Sequence, residues 1–415
     1  MWQRTIVRPM SDSHENFSGN TTRAPKPPLA GVVVVDLGQY IAGPGAAMAL
    51  AELGATVIKV EPLMGEQARH VGRYGEAMVR AYNRGKRSIA LNLKCEAARE
   101  VVWRLIARCD VVVQNLRPGA VEKLGLGASQ VRARFPRVIY LSISGFGGDG
   151  PSSERPGYDI AAQAESGLMF VTGEADRPPQ KVGVPVVDAA AADVGAQAIL
   201  AALYGRERSG VGETLEVSLL ETALHLQAAT WCEYLAGGPE PTRIGHGQPH
   251  NAPAAEVVAT LDGHIVLSAY AEDHWKRFCR AVGRDELVHD PRFSSNDRRV
   301  AHRTELRQVL DACLSTYTSD AAVAMLSQHQ IVCGAVRRYR DVLTNADVIA
   351  SGIMVDAPST EGTGYRALGL PYRMGGRRPA PAAAPDCGAN SAELLSEFGY
   401  STQDIAALRA KGAVA

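Results

Sequence analysis

The run Val32-Val33-Val34-Val35-Asp36-Leu37 constrains the fold more than any other stretch of this chain. A short β-branched segment that is apolar on both faces reads as a strand inside a parallel sheet, covered from both sides. Gly43-Pro44-Gly45 follows, then the alanine-rich stretch Ala46 to Leu53, a stop at Gly54 and a second strand from Thr56 to Glu61. Strand, helix and parallel strand make one βαβ unit of a doubly wound sheet.

The pattern recurs. Arg87 to Asn92 reads as a strand leading into a helix from Glu96 to Ala107, and Asp110 to Asn115 as the next strand. Val138 to Ser144 is another, ending in Gly145-Phe146-Gly147-Gly148-Asp149-Gly150. A long helix is expected from Ala189 to Tyr204, a strand over Glu213 to Val217 and a helix from Leu219 to about Leu235. Residues 1–28 read as a flexible extension, with no apolar signal segment. The large domain begins at 29 and runs to 236. Residues 237–253, rich in Gly, Pro and His, form a long loop, and loops of that length are often functional. Residues 254–334 are taken as a smaller α+β domain. Residues 335–415 return to the first domain, with helices over Ser391 to Phe398 and near Ala406.

Charge and cysteine content exclude several classes. The 44 basic and 44 acidic residues cancel, so no overall field points to nucleic acid or a membrane surface. No apolar run reaches the ~18 residues of a membrane span. Seven scattered cysteines without a Cys-x-x-Cys spacing fit reduced thiols in the cytoplasm and argue against a zinc site. His246 and His250 have ligand-pair spacing but lie in a Gly/Pro-rich loop, so no metal is expected. The Asn16-Phe17-Ser18 sequon is taken as accidental.

Several residues could carry chemistry. Gly43-Pro44-Gly45 sits where a helix N-terminus attracts phosphate. Arg84, Lys86 and Arg87 fall within four residues and read either as a solvated turn or as a phosphate clamp. Asn115-Leu116-Arg117-Pro118-Gly119, followed by Lys123, is a similar spot at a strand's carboxyl end. Three carboxylates compete: Glu61 at a strand end, Asp159 before an apolar stretch, and Asp188 before the long helix. Composition and periodicity leave all three open, with helix capping the ordinary role of the last two.

Taken in order, these motifs resemble the class III coenzyme A transferases, of the formyl-CoA and carnitine-CoA type. The matching pieces are Val35-Asp36-Leu37 with Ala42-Gly43-Pro44, Leu53 to Glu61, Asn83 to Ile89, Asn115 to Gly119 and Ser144 to Gly147. Gly157-Tyr158-Asp159 with Gln163, Gly183 to Asp188, and Glu397 to Ser401 complete the series. The resemblance implies a Rossmann-like large domain built from both ends of the chain, a small domain between them, and an interlocked homodimer. It implies transfer of CoA from an acyl-CoA to a free carboxylic acid, with Asp188 as the nucleophile and no tightly bound cofactor. Backbone amides at the helix start are expected to keep Asp188 ionised and to be available to oxyanions. Tyr158, Asp159, Gly245 and Gly247 are auxiliary candidates. For CoA, the resemblance points to Lys59, Glu61, Arg84, Lys86, Arg87, Asn115 and Leu116, with Arg117 and Lys123 in support. The chain departs from relatives at Ile41, Gln248-Pro249 and Ala254.

Two other readings compete. An α-methylacyl-CoA racemase of the same superfamily would need a Gly-His-Asp segment for acid–base work, and this chain has Gly157-Tyr158-Asp159. A non-catalytic CoA-binding protein would have no use for Asp188.

Overall fold

Six strands form one parallel sheet: β1 (Val33–Asp36), β2 (Thr56–Glu61), β3 (Lys86–Ala90), β4 (Val111–Gln114), β5 (Ile139–Ser144) and β6 (Thr214–Ser218). Their order is β3-β2-β1-β4-β5-β6, so the winding reverses between β1 and β4. The coordinates are a computed structural model and describe residues 26–247, 252–359 and 362–415. The sequon at Asn16 and most of the expected extension lie outside those residues, as do His250 and Gln248-Pro249.

The absence of alternation in β1 has a direct cause. Val34 and Val35 point to opposite faces, and neither is exposed. Val35, Ile58 and Val112 pack with the Glu96–Ile106 helix and with Leu394 and Leu395 near the chain's end. Val34, Val57, Val111 and Leu141 pack with the Ala42–Glu52 and Val186–Ser209 helices. Each such side chain removed from water contributes about 1.5–3 kcal/mol. The two helices approach closely because their facing residues are small. A Cβ on Gly45 would lie 2.8 Å from the Ala192 Cβ, so a larger residue would have to push them apart.

Two helix boundaries differ from the sequence expectation in ways that matter for the site. The first helix begins at Ala42 and takes in Gly43-Pro44-Gly45, with Pro44 in the first turn, where its missing N–H is not needed. The long helix begins at Val186, which puts Asp188 inside its first turn. By length and apolarity that 24-residue helix could cross a bilayer. Here Ala191, Gly195, Ile199 and Leu203 are buried against the sheet. The single helix expected after Leu219 is two, Leu219–His225 and Ala228–Leu235.

A second, antiparallel sheet contains β7 (Ala255–Ala259), β8 (His264–Ser268) and β9 (Val332–Ala335). It has its own core around Trp275, Phe278 and Phe293. A hairpin of β10 (Met354–Ala357) and β11 (Tyr365–Leu368) was not anticipated from the sequence. The chain's end then covers the β3 edge: the Asn390 N–H donates to the Ser88 carbonyl, and Leu91 bridges to Val414.

Candidate active site at the sheet switch point

In an open parallel sheet, ligands bind beyond the carboxyl ends of the strands where the winding reverses. That point here is the gap between β1 and β4, and a cavity of ≈ 270 Å³ occupies it. Gln39 to Ala42 line it from the turn after β1, Asn115 to Pro118 from the turn after β4, and Ser144, Gly145, Gly157 and Tyr158 from beyond β5. Asp188 opens into the same space. The Asn115 amide ties the two turns together: Oδ1 accepts from the Gln39 N–H at 2.7 Å, and Nδ2 donates to the Gln39 carbonyl at 2.9 Å. On the far wall two backbones touch. A Cβ on Gly145 would lie 2.6 Å from Gly157 Cα, so neither position has room for a side chain.

Asp188 and Asp159 form the chemical centre. The Val187 and Asp188 N–H groups donate to Asp159 Oδ2 at 2.8 and 3.2 Å. Gln163 Nε2 donates to the other Asp159 oxygen at 2.5 Å, while Gln163 Oε1 accepts from the Val182 N–H at 2.8 Å. Asp159 therefore caps the helix that carries Asp188, although it opens a different helix, Asp159–Glu165. This overturns two expectations. The amides supposed to be free for an oxyanion are occupied, and Asp188 is not held firmly ionised. Burial, and then the Asp159 carboxylate beside it, push the Asp188 carboxyl up to about 7.

The cluster of cations read as a phosphate clamp is divided among internal partners. Lys59 is fully buried: Nζ lies 3.0 Å from Glu66 and 3.9 Å from Asp36, and donates to the Gly38 carbonyl at 2.9 Å. Lys86 Nζ is held by Asp36 at 2.8 Å, the Pro44 carbonyl at 2.7 Å and Asn83 at 2.8 Å. Glu61 takes a two-pronged contact from Arg69 and a hydrogen bond from the Ser88 hydroxyl. Arg84 is buried against Glu52 and the Leu368 carbonyl. Arg87 pairs with Glu393 and Glu397. As neighbours on a strand, Lys86 and Arg87 leave from opposite faces and cannot converge on one ligand. Lys59, Glu61 and Lys86 thus brace the strands beside the cavity, Arg84 ties the end of the first helix to the Leu368 carbonyl, and none of the four lines the cavity.

Arg117 and Lys123 are exposed beside the switch point and have no ion-pair partner among the described residues. Arg117, Asn115 and Leu116 line the cavity; Lys123 does not. Gly245 and Gly247 lie elsewhere. The Gly245 N–H donates to the Gly173 carbonyl, and His246 Nε2 is 2.8 Å from Glu174 Oε1. Gly247 packs on the buried Glu256, whose carboxylate pairs with Arg303. Among the described residues no cluster of metal-ligating side chains occurs. The sequence reading missed Tyr40 and Gln67, which also line the cavity. The only signal was position: Tyr40 lies four residues beyond Asp36, the last residue of β1.

Comparison with known proteins bears on this geometry. The model of a family described as CoA-transferase family III matches residues 29–391. The succinate–glutarate CoA-transferase of Agrobacterium fabrum is 34% identical over 389 residues, which cover 90% of this chain and 96% of that protein. The succinyl-CoA:mesaconate CoA-transferase of Haloarcula hispanica is 34% identical over 384 residues, 89% of this chain and 96% of its own. A CAIB/BAIF family protein from Brucella suis, solved by crystallography, superposes with a TM-score of 0.81 at 33% identity, covering 90% of this chain and 100% of that one.

Proposed function

This chain belongs to CoA-transferase family III, and from that premise we propose that it passes coenzyme A from an acyl-CoA thioester to a free carboxylic acid by way of Asp188. The observation that carries the proposal is a carboxylate in the first turn of a helix, facing a cavity at the sheet's switch point, with its ionisation poised near neutrality. A nucleophile has to shed its proton yet remain reactive, and a carboxyl titrating at about 7 does both.

The Asp188 carboxylate attacks the thioester carbonyl, giving a mixed anhydride and CoA thiolate. The thiolate attacks the Asp188 carbonyl of the anhydride, releasing the donor acid and leaving an aspartyl-CoA thioester. The acceptor carboxylate attacks that thioester, forming a second anhydride and freeing the thiolate again. Attack of the thiolate on the acceptor's carbonyl yields the new acyl-CoA and restores Asp188. Splitting the exchange in this way replaces one difficult step by easier ones. It also demands that water be kept from the anhydrides. Asp159 acts as a positioning residue, holding the backbone of Val187 and Asp188.

Coenzyme A runs along the Asn115-Leu116-Arg117 turn, with Lys123 beyond it as a phosphate contact; Arg87, held by Glu393 and Glu397, is left to bracing. Residues 29–236 and 335–415 make up the large domain, 237–253 the connection and 254–334 the small domain. Two copies interlock. Large apolar side chains left open to solvent, such as Tyr204, Leu235, Val332 and Tyr339, support a covered face. In that arrangement the Gly245–Gly247 loop reaches a neighbouring site rather than its own. The same reading puts the protein in the cytoplasm. The relatives named for succinate, glutarate and mesaconate support acceptors that are small carboxylic acids.

The test is chemical trapping. With acyl-CoA present, hydroxylamine or borohydride should modify Asp188, and mass spectrometry should locate the adduct there. CoA exchange that proceeds with Asp188 never labelled would sink the covalent route. Deuterium wash-in at the α-carbon without exchange would favour the racemase instead.

A further inference from the structure

The turn after β1 holds a bulky side chain in a backbone conformation that bulky residues avoid. Tyr40 has φ +62°, in the left-handed region. Such a conformation persists only where the surroundings over-determine it. Three anchors do so here. The Tyr40 N–H donates to Glu66 Oε2 at 2.7 Å, and Glu66 is itself buried and paired with Lys59. The phenol donates to Gln67 Oε1 at 2.8 Å. The ring stands edge-on to Tyr158, with centroids 5.9 Å apart and planes at 83°.

All three anchors fix groups on the wall of the cavity that Asp188 enters. The aromatic pair offers an apolar surface suited to a few methylene groups. With its oxygen committed to the Tyr40 phenol, the Gln67 amide keeps its nitrogen, which has no partner among the described residues, as a donor. Arg117 adds positive charge to the same cavity. An apolar wall ending in donors suits a short chain that finishes in an anion. We infer that Tyr40 sets the acyl specificity of this site: it holds the Gln67 amide ready for a carboxylate at the far end of a short acyl chain, so that ω-carboxyl acyl-CoA thioesters are preferred. The inference rests on Asp188 being the acyl acceptor.

The test uses succinyl-CoA and butyryl-CoA, which differ by a carboxylate in place of a methyl group. The wild-type ratio of kcat/KM should favour succinyl-CoA. Tyr40→Phe keeps the ring and removes the hydroxyl, and should lower that ratio about fivefold, the worth of one neutral hydrogen bond. Tyr40→Gly relaxes the backbone and removes the wall; it should lower the ratio as well and raise turnover of hexanoyl-CoA relative to butyryl-CoA. An unchanged succinyl-to-butyryl ratio in both variants would overturn the inference and leave Tyr40 a turn residue. A wild-type chain inactive in every exchange assay would overturn the transfer reading alone. The two thioesters' relative affinities for wild type and Tyr40→Phe, measured by calorimetry, would then decide the role of Tyr40.

Discussion

Two acidic centres lie on either side of the sheet's switch point, and they behave oppositely. Asp36, at the end of β1, is completely buried, yet its carboxyl sits below the ordinary value. Burial pushes it up, but the Lys86 and Lys59 ammoniums outweigh that effect. Asp188 is only half-buried, and its carboxyl rises to about 7. Among the described residues no cation pairs with it, and its acidic neighbour is Asp159. What separates a bracing carboxylate from a reactive one is therefore the company it keeps, more than its depth. Burial acts on both; only at Asp36 do two cations answer it. The cost appears on the cation side, where burial lowers the Lys86 ammonium to about 8.

The contrast can be broken at several points. Asp188→Ala should reduce CoA exchange by on the order of 10³-fold or more while leaving CoA binding largely intact, as checked by steady-state kinetics and calorimetry. Lys86→Met should leave the Asp36 charge with a poorer set of partners and destabilise the fold by about 3–5 kcal/mol in urea unfolding. An equally stable Lys86→Met variant would show that Lys59 alone suffices for Asp36.

Asp159→Asn removes the like charge beside Asp188 while keeping an oxygen for the two amides. The acid limb of kcat/KM, expected at about 7 in the wild type, should move to lower pH. The movement should be partial, because burial is the larger cause. A limb that stays in place would assign the whole effect to burial. Asp188→Asn offers a smaller, thermodynamic check. The folded chain holds the Asp188 proton more tightly than the unfolded one, so stability falls as pH rises from 3.8 to about 7. The variant should accordingly melt above the wild type at pH 8 and match it near pH 3.8.

Much of the fold was legible in the chain itself. Val32 to Leu37 had to be covered on both faces, and the spacing of strands and helices through Ser144 left a parallel doubly wound sheet as the natural outcome. Asp188 at a helix start could be read as well, and the ordered motifs singled it out from Asp159 and Glu61. The charge pairs could not be read. Arg84, Lys86 and Arg87 fall within four residues, but their partners Glu52, Asp36 and Glu397 come from three distant places. The hairpin of β10 and β11 also gave no clear signal, since its short strands show no sustained apolar pattern.

The division has a physical basis. Backbone propensity and apolar periodicity are local properties, so the sequence by itself determined the strands, the helices and the layering that buries them. Electrostatic character depends on which groups lie within a few ångströms after the chain has closed on itself. Only the tertiary structure could therefore decide that Lys59 and Lys86 serve Asp36, that Asp159 occupies the amides at Asp188, and that Tyr40 faces the same cavity.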